Sequence, residues 1–353
     1  MNFITKGLNR LKANSIYSER GFEFDKELTT VDDINAMALA KREEDKFLAF
    51  DYLLFNYYYS PCAYTANNLI AGYIDFYSEE AELSESLPTF DFIESVGKYL
   101  EKASKVADVF DSKEYFITLA QFLLLQNVDN VEKAFNLLNS VPTAYMDVDV
   151  QYLTGTLYFL LGMKDVAVKM LDSAKNSENT EIKASSALLL AKCNDDENTK
   201  EELLRIALLS TKTAIVTEAI TLLVGMNKTD IVANVDMDKI VPVLNADLVK
   251  VLAETYFKSG ESEKLEKLSE YCVEDEVYQR IIDCVKAGKA VDIEQITIEV
   301  NKKHIEEIAD SDMYKESDIY TRRMLNNEIM ETAMETENFS ELDYIVFTPA
   351  YIK

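Results

Sequence analysis

The residues that could perform acid–base, nucleophilic or metal chemistry form no familiar catalytic pattern in this sequence. The single histidine, His304, is far in sequence from the nearest cysteine, Cys284. A zinc site instead needs histidine and cysteine ligands at short spacing. No GxSxG nucleophile elbow and no GxGxxG or GxxxxGK[ST] phosphate loop occurs. We therefore predict a protein that is not an enzyme and that binds no metal and no cofactor.

Carboxylates are the one abundant class of reactive side chain, and they cluster in the acidic stretches 79–85 and 195–202. A calcium loop of the EF-hand type needs Gly at its sixth position and Glu at its twelfth. The run that begins at Asn194 has Thr199 and Arg205 at those positions. These stretches thus favour a solvated acidic surface. The alternative is an enzyme or small-ligand-binding protein with a carboxylate-lined site in the 60–110 region, since carboxylate pairs are set by tertiary geometry.

Composition predicts a helical protein. Only 9 of the 353 residues are Gly and 5 are Pro, whereas sandwiches, barrels and doubly wound sheets use many of both in their turns. The net charge of −27, from 63 acidic and 36 basic residues, opposes binding to a nucleic-acid backbone. No apolar run is long enough to span a membrane. Four cysteines without CxxC spacing favour a reducing compartment, and we expect a soluble cytoplasmic protein.

The segment 1–20 differs from the rest of the chain because it is basic, with a net charge of +3. Ile4, Leu8 and Leu11 follow the i, i+4, i+7 spacing of a helix, and Lys6 and Arg10 lie off that stripe. Residues 1–20 are therefore predicted to form a basic amphipathic helix that caps the other helices or docks on an acidic surface, including the protein's own. The alternative is a mitochondrial presequence, which shares this pattern.

An aromatic run from Phe47 to Tyr59 covers most of one predicted helix. Helices that are apolar on all sides are usually buried between neighbours, so we expect this run to belong to the core. The alternative is a surface that binds a peptide.

The segment 148–176 reads as a helical hairpin. Its first helix ends at Gly162, which is expected to adopt the left-handed conformation of a helix cap. Gly155 and Ala167 are small enough to let the two helices approach closely, with Tyr158 and Leu171 filling the space around the crossing. Such a hairpin cannot bury its apolar face alone, which indicates further hairpins beside it.

This hairpin resembles the tetratricopeptide repeat, a helix–turn–helix module with a period of about 34 residues. Six positions of that module have the residue types of its pattern: Gly155, Tyr158, Gly162, Ala167, Leu171 and Ala174. The module's opening Trp and Leu positions, in contrast, hold Gln151 and Thr154. A second, less complete copy begins near Ala246 and includes Gly260, and weaker copies lie between and before these two.

The resemblance implies an all-α fold, a right-handed α-solenoid of six or seven stacked TPR-like hairpins. We expect degenerate repeats over residues 31–275, capping helices over 276–340 and an extended tail over 341–353. In the family, set positions on the first helices line a concave groove that binds peptides. Those positions carry over to Asp149, Tyr152, Thr156, Phe159 and Leu160 in one repeat, and to Asp247, Lys250, Glu254, Phe257 and Lys258 in the other.

The function expected from these features is a non-catalytic scaffold or adaptor that binds a protein or peptide partner in the groove. Since the chain outside residues 1–20 carries −30, we expect a partner with basic character. The alternative is a subunit of a trafficking or organelle assembly complex. Of the two end segments, the tail from Tyr344 to Lys353 is the better candidate for occupying the chain's own groove, because it is extended and aromatic.

Overall fold

The computed structural model describes residues 3–77, 90–103, 112–241, 244–310 and 342–352. Within those ranges the chain is all-helical, with no β-strand. It divides into two compact units, which are Met1–Glu178 with Ile345–Lys353 (the first unit) and Asn179–Tyr344 (the second unit). No helix in the described part of the chain combines the length and the apolarity that crossing a membrane requires.

Nine α-helices belong to the described part of the first unit. They are α1 (Phe3–Arg20), α2 (Val31–Lys41), α3 (Lys46–Tyr59), α4 (Ala63–Tyr77), α5 (Phe90–Ala103), α6 (Lys113–Gln126), α7 (Val131–Leu138), α8 (Val148–Leu160) and α9 (Lys164–Ala174).

The described part of the second unit also has nine. They are α10 (Thr180–Cys193), α11 (Glu197–Ala207), α12 (Thr213–Gly225), α13 (Thr229–Val232), α14 (Met237–Ile240), α15 (Ala246–Ser259), α16 (Ser262–Tyr271), α17 (Glu276–Lys286) and α18 (Ile293–Asp310).

Polar side chains fix where many of these helices begin. A capping box precedes α2, in which the Thr30 hydroxyl accepts a hydrogen bond from the Asp33 amide and the Asp33 carboxylate accepts one from the Thr30 amide. A single carboxylate or amide oxygen caps α3, α8, α10, α11, α15 and α17 in the same way. Each cap satisfies an N–H group that the first helical turn leaves without a partner.

The α8–α9 hairpin confirms the predicted glycine cap and the predicted close approach of its two helices. Gly162 has φ of +74°, and the amides of Gly162 and Met163 donate to the carbonyls of Phe159 and Tyr158 at 2.9 Å each, which is a Schellman cap. A Cβ atom on Gly155 would lie 2.9 Å from Leu171 Cγ, so glycine is what allows α9 to approach this closely.

In the first unit, the most extensive packing joins helices that are one or two apart in sequence. The helix α1 packs on α3, its residue Ala13 is fully buried, and the ring of Tyr17 lies 5.8 Å from that of Phe55. Most of the aromatic run is buried, although Phe47 is 46% exposed. The prediction that this run belongs to the core is therefore confirmed for most of its length.

Several sequence predictions fall outside the described residues. They concern the acidic stretch 79–85 within the 60–110 region, residues 311–340 of the predicted capping segment, and the side chain of His304.

Candidate functional site

Residues 342–352, the tail segment, lie outside any helix, and much of the segment is buried. In the first unit, Ile345, Val346 and Phe347 are 1%, 4% and 8% exposed. An extended segment has no internal hydrogen bonds, so its buried backbone groups need partners elsewhere. Side chains from four helices of the first unit supply partners to this segment, as the following contacts show.

The end of the tail segment binds to α2 and α4. The Ile352 amide donates to Asn68 Oδ1 at 2.8 Å, and the Ile352 carbonyl accepts from Asn68 Nδ2 at 2.8 Å and from Asn35 Nδ2 at 3.0 Å. Asn68 Nδ2 also donates to Asn35 Oδ1 at 2.5 Å. Both asparagines are almost completely buried, and their amides together bind both backbone groups of one residue.

Farther back along the tail segment, α4 and α6 make the contacts. The Ala350 carbonyl accepts from Asn67 Nδ2 at 3.0 Å and from the Thr118 hydroxyl at 3.1 Å. Gln121 Nε2 lies 3.4 Å from the Thr348 hydroxyl oxygen. These three helix side chains are also buried, at 2% exposure or less.

The helix α8 provides the next contact through a tyrosine. The Val346 amide donates to the Tyr152 hydroxyl oxygen at 2.8 Å, and Tyr152 is 1% exposed. Within the second unit, the Ser185 hydroxyl of α10 donates to the Tyr344 carbonyl at 2.6 Å, and Lys192 Nζ lies 4.6 Å from the centre of the Tyr344 ring.

The aromatic side chain of Tyr351 has a polar pocket of its own. Its hydroxyl donates to Asp75 Oδ2 at 3.1 Å, and Arg42 Cζ lies 5.6 Å from its ring centre. Burial works against the ionised form of Asp75, but the hydrogen bonds and charge of Arg42, with help from Lys46 and Tyr351, hold the pKa of this carboxyl below its usual value. Burial, with the charge of Asp75 next, raises the pKa of Tyr351, so its hydroxyl remains a donor.

In the first unit, apart from the bond between Tyr351 and Asp75, the hydrogen bonds between helix side chains and the tail fall on alternate residues: Val346, Thr348, Ala350 and Ile352. Alternate residues of an extended strand turn their backbone groups to the same side. The helices therefore bind residues 346–352 from one side, mostly through backbone groups. We call this site the backbone-binding groove; its residues are Asn35, Asn67, Asn68, Thr118, Gln121 and Tyr152.

Of the positions predicted on α8, Tyr152 belongs to this groove. Thr156 and Phe159 are buried, and the Thr156 hydroxyl donates to the Tyr152 carbonyl at 2.9 Å. Asp149 and Leu160 are half-buried. Burial and the neighbouring negative charge of Asp147 raise the pKa of Asp149, although the ammonium of Lys113 opposes them.

The positions predicted on α15 lie in the second unit. Lys250 Nζ donates to the Val291 carbonyl at 3.1 Å, and Glu254 pairs with Lys258 at 3.2 Å. Asp247 and Phe257 are exposed, Phe257 by 49%. A partner-binding role for these five residues stays a prediction.

At the other end of the chain, α1 leaves its apolar stripe in solvent. Ile4, Leu8 and Leu11 are 71%, 56% and 67% exposed, although Ala13 of the same helix is fully buried. Docking of this stripe on an acidic surface stays a prediction. Throughout the described ranges, His, Cys, Asp and Glu side chains form no group of three or more that could hold a metal ion.

Sequence reasoning missed five of the six groove residues, yet their positions carry a signal. Thr118, Tyr152 and Ser185 follow one another at intervals of about 34 residues, which is one period of the module. Asn35 and Asn68 are separated by nearly the same interval. Polar residues of different types at these intervals thus contact residues of the tail segment.

The chain matches no protein-family model, no curated protein and no solved structure among those with which it was compared. The resemblance to the tetratricopeptide repeat accordingly stays a prediction.

Proposed function

We propose that this chain is a non-catalytic protein-interaction protein whose backbone-binding groove holds an extended polypeptide segment. The observation that carries the proposal is the binding of residues 346–352 by buried side chains of α2, α4, α6 and α8. Hydrogen bonds to main-chain groups give affinity for a strand without requiring one particular sequence. In the chain alone, its own tail takes the place of a partner segment.

The arrangement of the helices supports a solenoid of TPR-like hairpins as the scaffold. The helices α6, α8, α10, α12 and α15 are preceded by the cap positions Ser112, Asp147, Asn179, Lys212 and Asn245. Each successive interval is close to the module's period of about 34 residues. In a solenoid each repeat contacts its neighbours, in agreement with the sequence-adjacent packing of the first unit.

Burial of polar residues inside the first unit argues for binding rather than for packing alone. Asn67 and Asn68 lie in the middle of α4 beside Ala66 and Leu69, and all four are almost fully buried. Apolar residues at positions 67 and 68 would pack on an apolar neighbour without the need for hydrogen bonds. A pair of amides at this place is useful when the neighbour is a peptide backbone.

The proposal is tested with the full-length chain carrying Val346→Pro and Tyr351→Ala, which remove two anchors of its own tail. A fluorescent peptide of residues 342–352 is titrated into this chain, and anisotropy is followed. We expect saturable one-to-one binding that Asn68→Leu in the groove abolishes. A peptide with Val346→Pro and Ile352→Pro, which lacks both bound N–H groups, is the matched control and is expected to bind weakly.

Absence of binding by the native peptide, while circular dichroism shows an intact helical chain, would refute the proposal. Equal binding of the native and the control peptide would refute the backbone-reading part of it. Because the chain outside residues 1–20 is strongly acidic, we also expect peptides with added lysines to bind more tightly at low salt.

A further inference from the structure

The side-chain amides of the two neighbouring asparagines of α4 differ in how many hydrogen bonds they form with the tail. This difference indicates which ligand the groove suits. Asn68 uses its whole amide, donating to the Ile352 carbonyl and accepting from the Ile352 amide, both at 2.8 Å. Asn67 donates to the Ala350 carbonyl at 3.0 Å and to Asn68 Oδ1 at 3.1 Å. Its own Oδ1 atom is buried and has no hydrogen-bond donor among the described residues.

Gln121 of α6 likewise has a partner for only one end of its side-chain amide. Its Nε2 atom reaches the Thr348 hydroxyl only at 3.4 Å, and its Oε1 atom is buried without a donor in the described part of the chain. Asn67 and Gln121 are 0% and 2% exposed. Buried polar atoms usually have a partner, and of the six side-chain atoms without one in the described part of the chain these two acceptors lie beside the same stretch of tail.

Proline at position 349 explains why the tail leaves these acceptors unpaired. Its ring fixes φ near −65°, whereas a β-strand has φ of about −120° to −140°. The proline therefore constrains the backbone between Thr348 and Ala350, next to both acceptors, although the bound residues keep their alternation across it. At Ile352, beyond the proline, both backbone groups pair with Asn68, whereas at Ala350 the carbonyl alone pairs with Asn67.

A half-turn flip of the Asn67 side-chain amide would not remove the unpaired acceptor. Its Nδ2 group points at two acceptors, the Ala350 carbonyl and Asn68 Oδ1, and a flipped amide would place an oxygen against both. The unpaired Oδ1 is thus fixed in position as an acceptor for a donor that the tail does not present.

We infer that the groove is built for an extended segment of a partner protein that has a residue other than proline in the place of Pro349. The backbone N–H groups of that segment pair with Asn67 Oδ1 and Gln121 Oε1, and a tyrosine two residues later enters the pocket of Asp75. The chain's own tail is a weaker occupant that such a segment displaces. This inference rests on the proposed function, because it specifies the ligand of the same groove.

The test in trans compares three peptides of residues 342–352 on the full-length chain with the weakened tail. They are the native peptide, a Pro349→Ala peptide and a Pro349→Ala peptide with an N-methyl group on Ala350. One additional buried hydrogen bond corresponds to about fivefold in affinity. We expect the Pro349→Ala peptide to bind at least about fivefold more tightly than the native one, and N-methylation to abolish that gain.

The outcomes of this comparison distinguish failure of the proposed function from failure of the inference about the ligand. A native peptide that fails to bind refutes the proposed function itself. A native peptide that binds as tightly as the Pro349→Ala peptide, or a gain that survives N-methylation, refutes only the inference about the unpaired acceptors.

A second measurement works in the otherwise unchanged full-length chain. Pro349→Ala is expected to slow hydrogen exchange of the Ala350 amide by about tenfold or more and to raise the denaturation midpoint. Pro142→Ala is the matched control, since Pro142 is exposed and the substitution adds only flexibility to the unfolded chain. Equal destabilisation by both substitutions, with unchanged exchange at Ala350, would overturn the inference.

Discussion

Asn68→Leu is the substitution that tests the backbone-binding groove most severely within the folded chain. Leucine has nearly the shape of asparagine but no hydrogen-bonding group. The substitution leaves the Ile352 amide and Asn35 Oδ1 without the partners that lie 2.8 Å and 2.5 Å away. Ile352 keeps one bond, from Asn35 Nδ2 to its carbonyl at 3.0 Å.

The size of the effect follows from those two orphaned groups. Each buried donor or acceptor that loses its partner costs about 1–3 kcal/mol, so the two together cost about 2–6 kcal/mol. Detachment of the tail end would return Ile352 to water, and this would limit the loss in the free energy of unfolding. We therefore expect the lower part of that range, about 2–3 kcal/mol, together with fast exchange of the Ile352 amide.

The assay is urea denaturation of the full-length chain, combined with hydrogen exchange resolved at Ile352. Asn136→Leu is the control, because Asn136 lies on α7 outside the groove and is exposed, and its substitution is expected to change stability by less than about 0.5 kcal/mol. If Asn68→Leu also stays within about 0.5 kcal/mol of the unsubstituted chain and the Ile352 amide remains protected, the account of the groove is wrong.

Three further substitutions test other contacts of the first unit. Tyr152→Phe is expected to cost about 1–3 kcal/mol in urea denaturation, because it leaves a buried tail amide unpaired; unchanged stability would contradict this. The pKa of Asp75 lies below its usual value, so its contribution to stability is present above about pH 4 and is lost as the pH falls through the lowered pKa. Asp75→Asn should flatten the acid limb of the stability curve, and an unchanged limb would argue against the pocket. Gly97→Ala would place a Cβ atom 2.0 Å from Phe122 Cε1 and is expected to cost about 1–3 kcal/mol, whereas Gly7→Ala, with no atom within 4 Å, should cost nothing.

The α8–α9 hairpin was predictable from sequence because its determinants are local. Gly162 is needed where φ is positive, and Gly155 is needed where Leu171 approaches its helix. Both requirements select glycine, and glycine can be recognised directly in the sequence. The caps at Asp147 and Asn179 are local in the same way, since each involves amides two or three residues ahead.

The groove was only partly predictable because its ligand is a backbone. A main-chain amide or carbonyl can be bound by asparagine, glutamine, threonine, serine or tyrosine, so position is constrained while residue type is not. Tyr152 was found because the resemblance supplied its position. Thr118 and Asn68 carry no motif of their own, and their partners lie 232 and 284 residues away in sequence.

Hydrogen exchange of the unmodified full-length chain is the sharpest test of whether buried side chains of the first unit bind the backbone of an extended polypeptide. We expect the amides of Val346 and Ile352 to exchange as slowly as those of buried helices, although neither residue lies in a helix. Exchange of both amides at the rate of an unstructured peptide, while the amides of α4 and α6 remain protected, would contradict it.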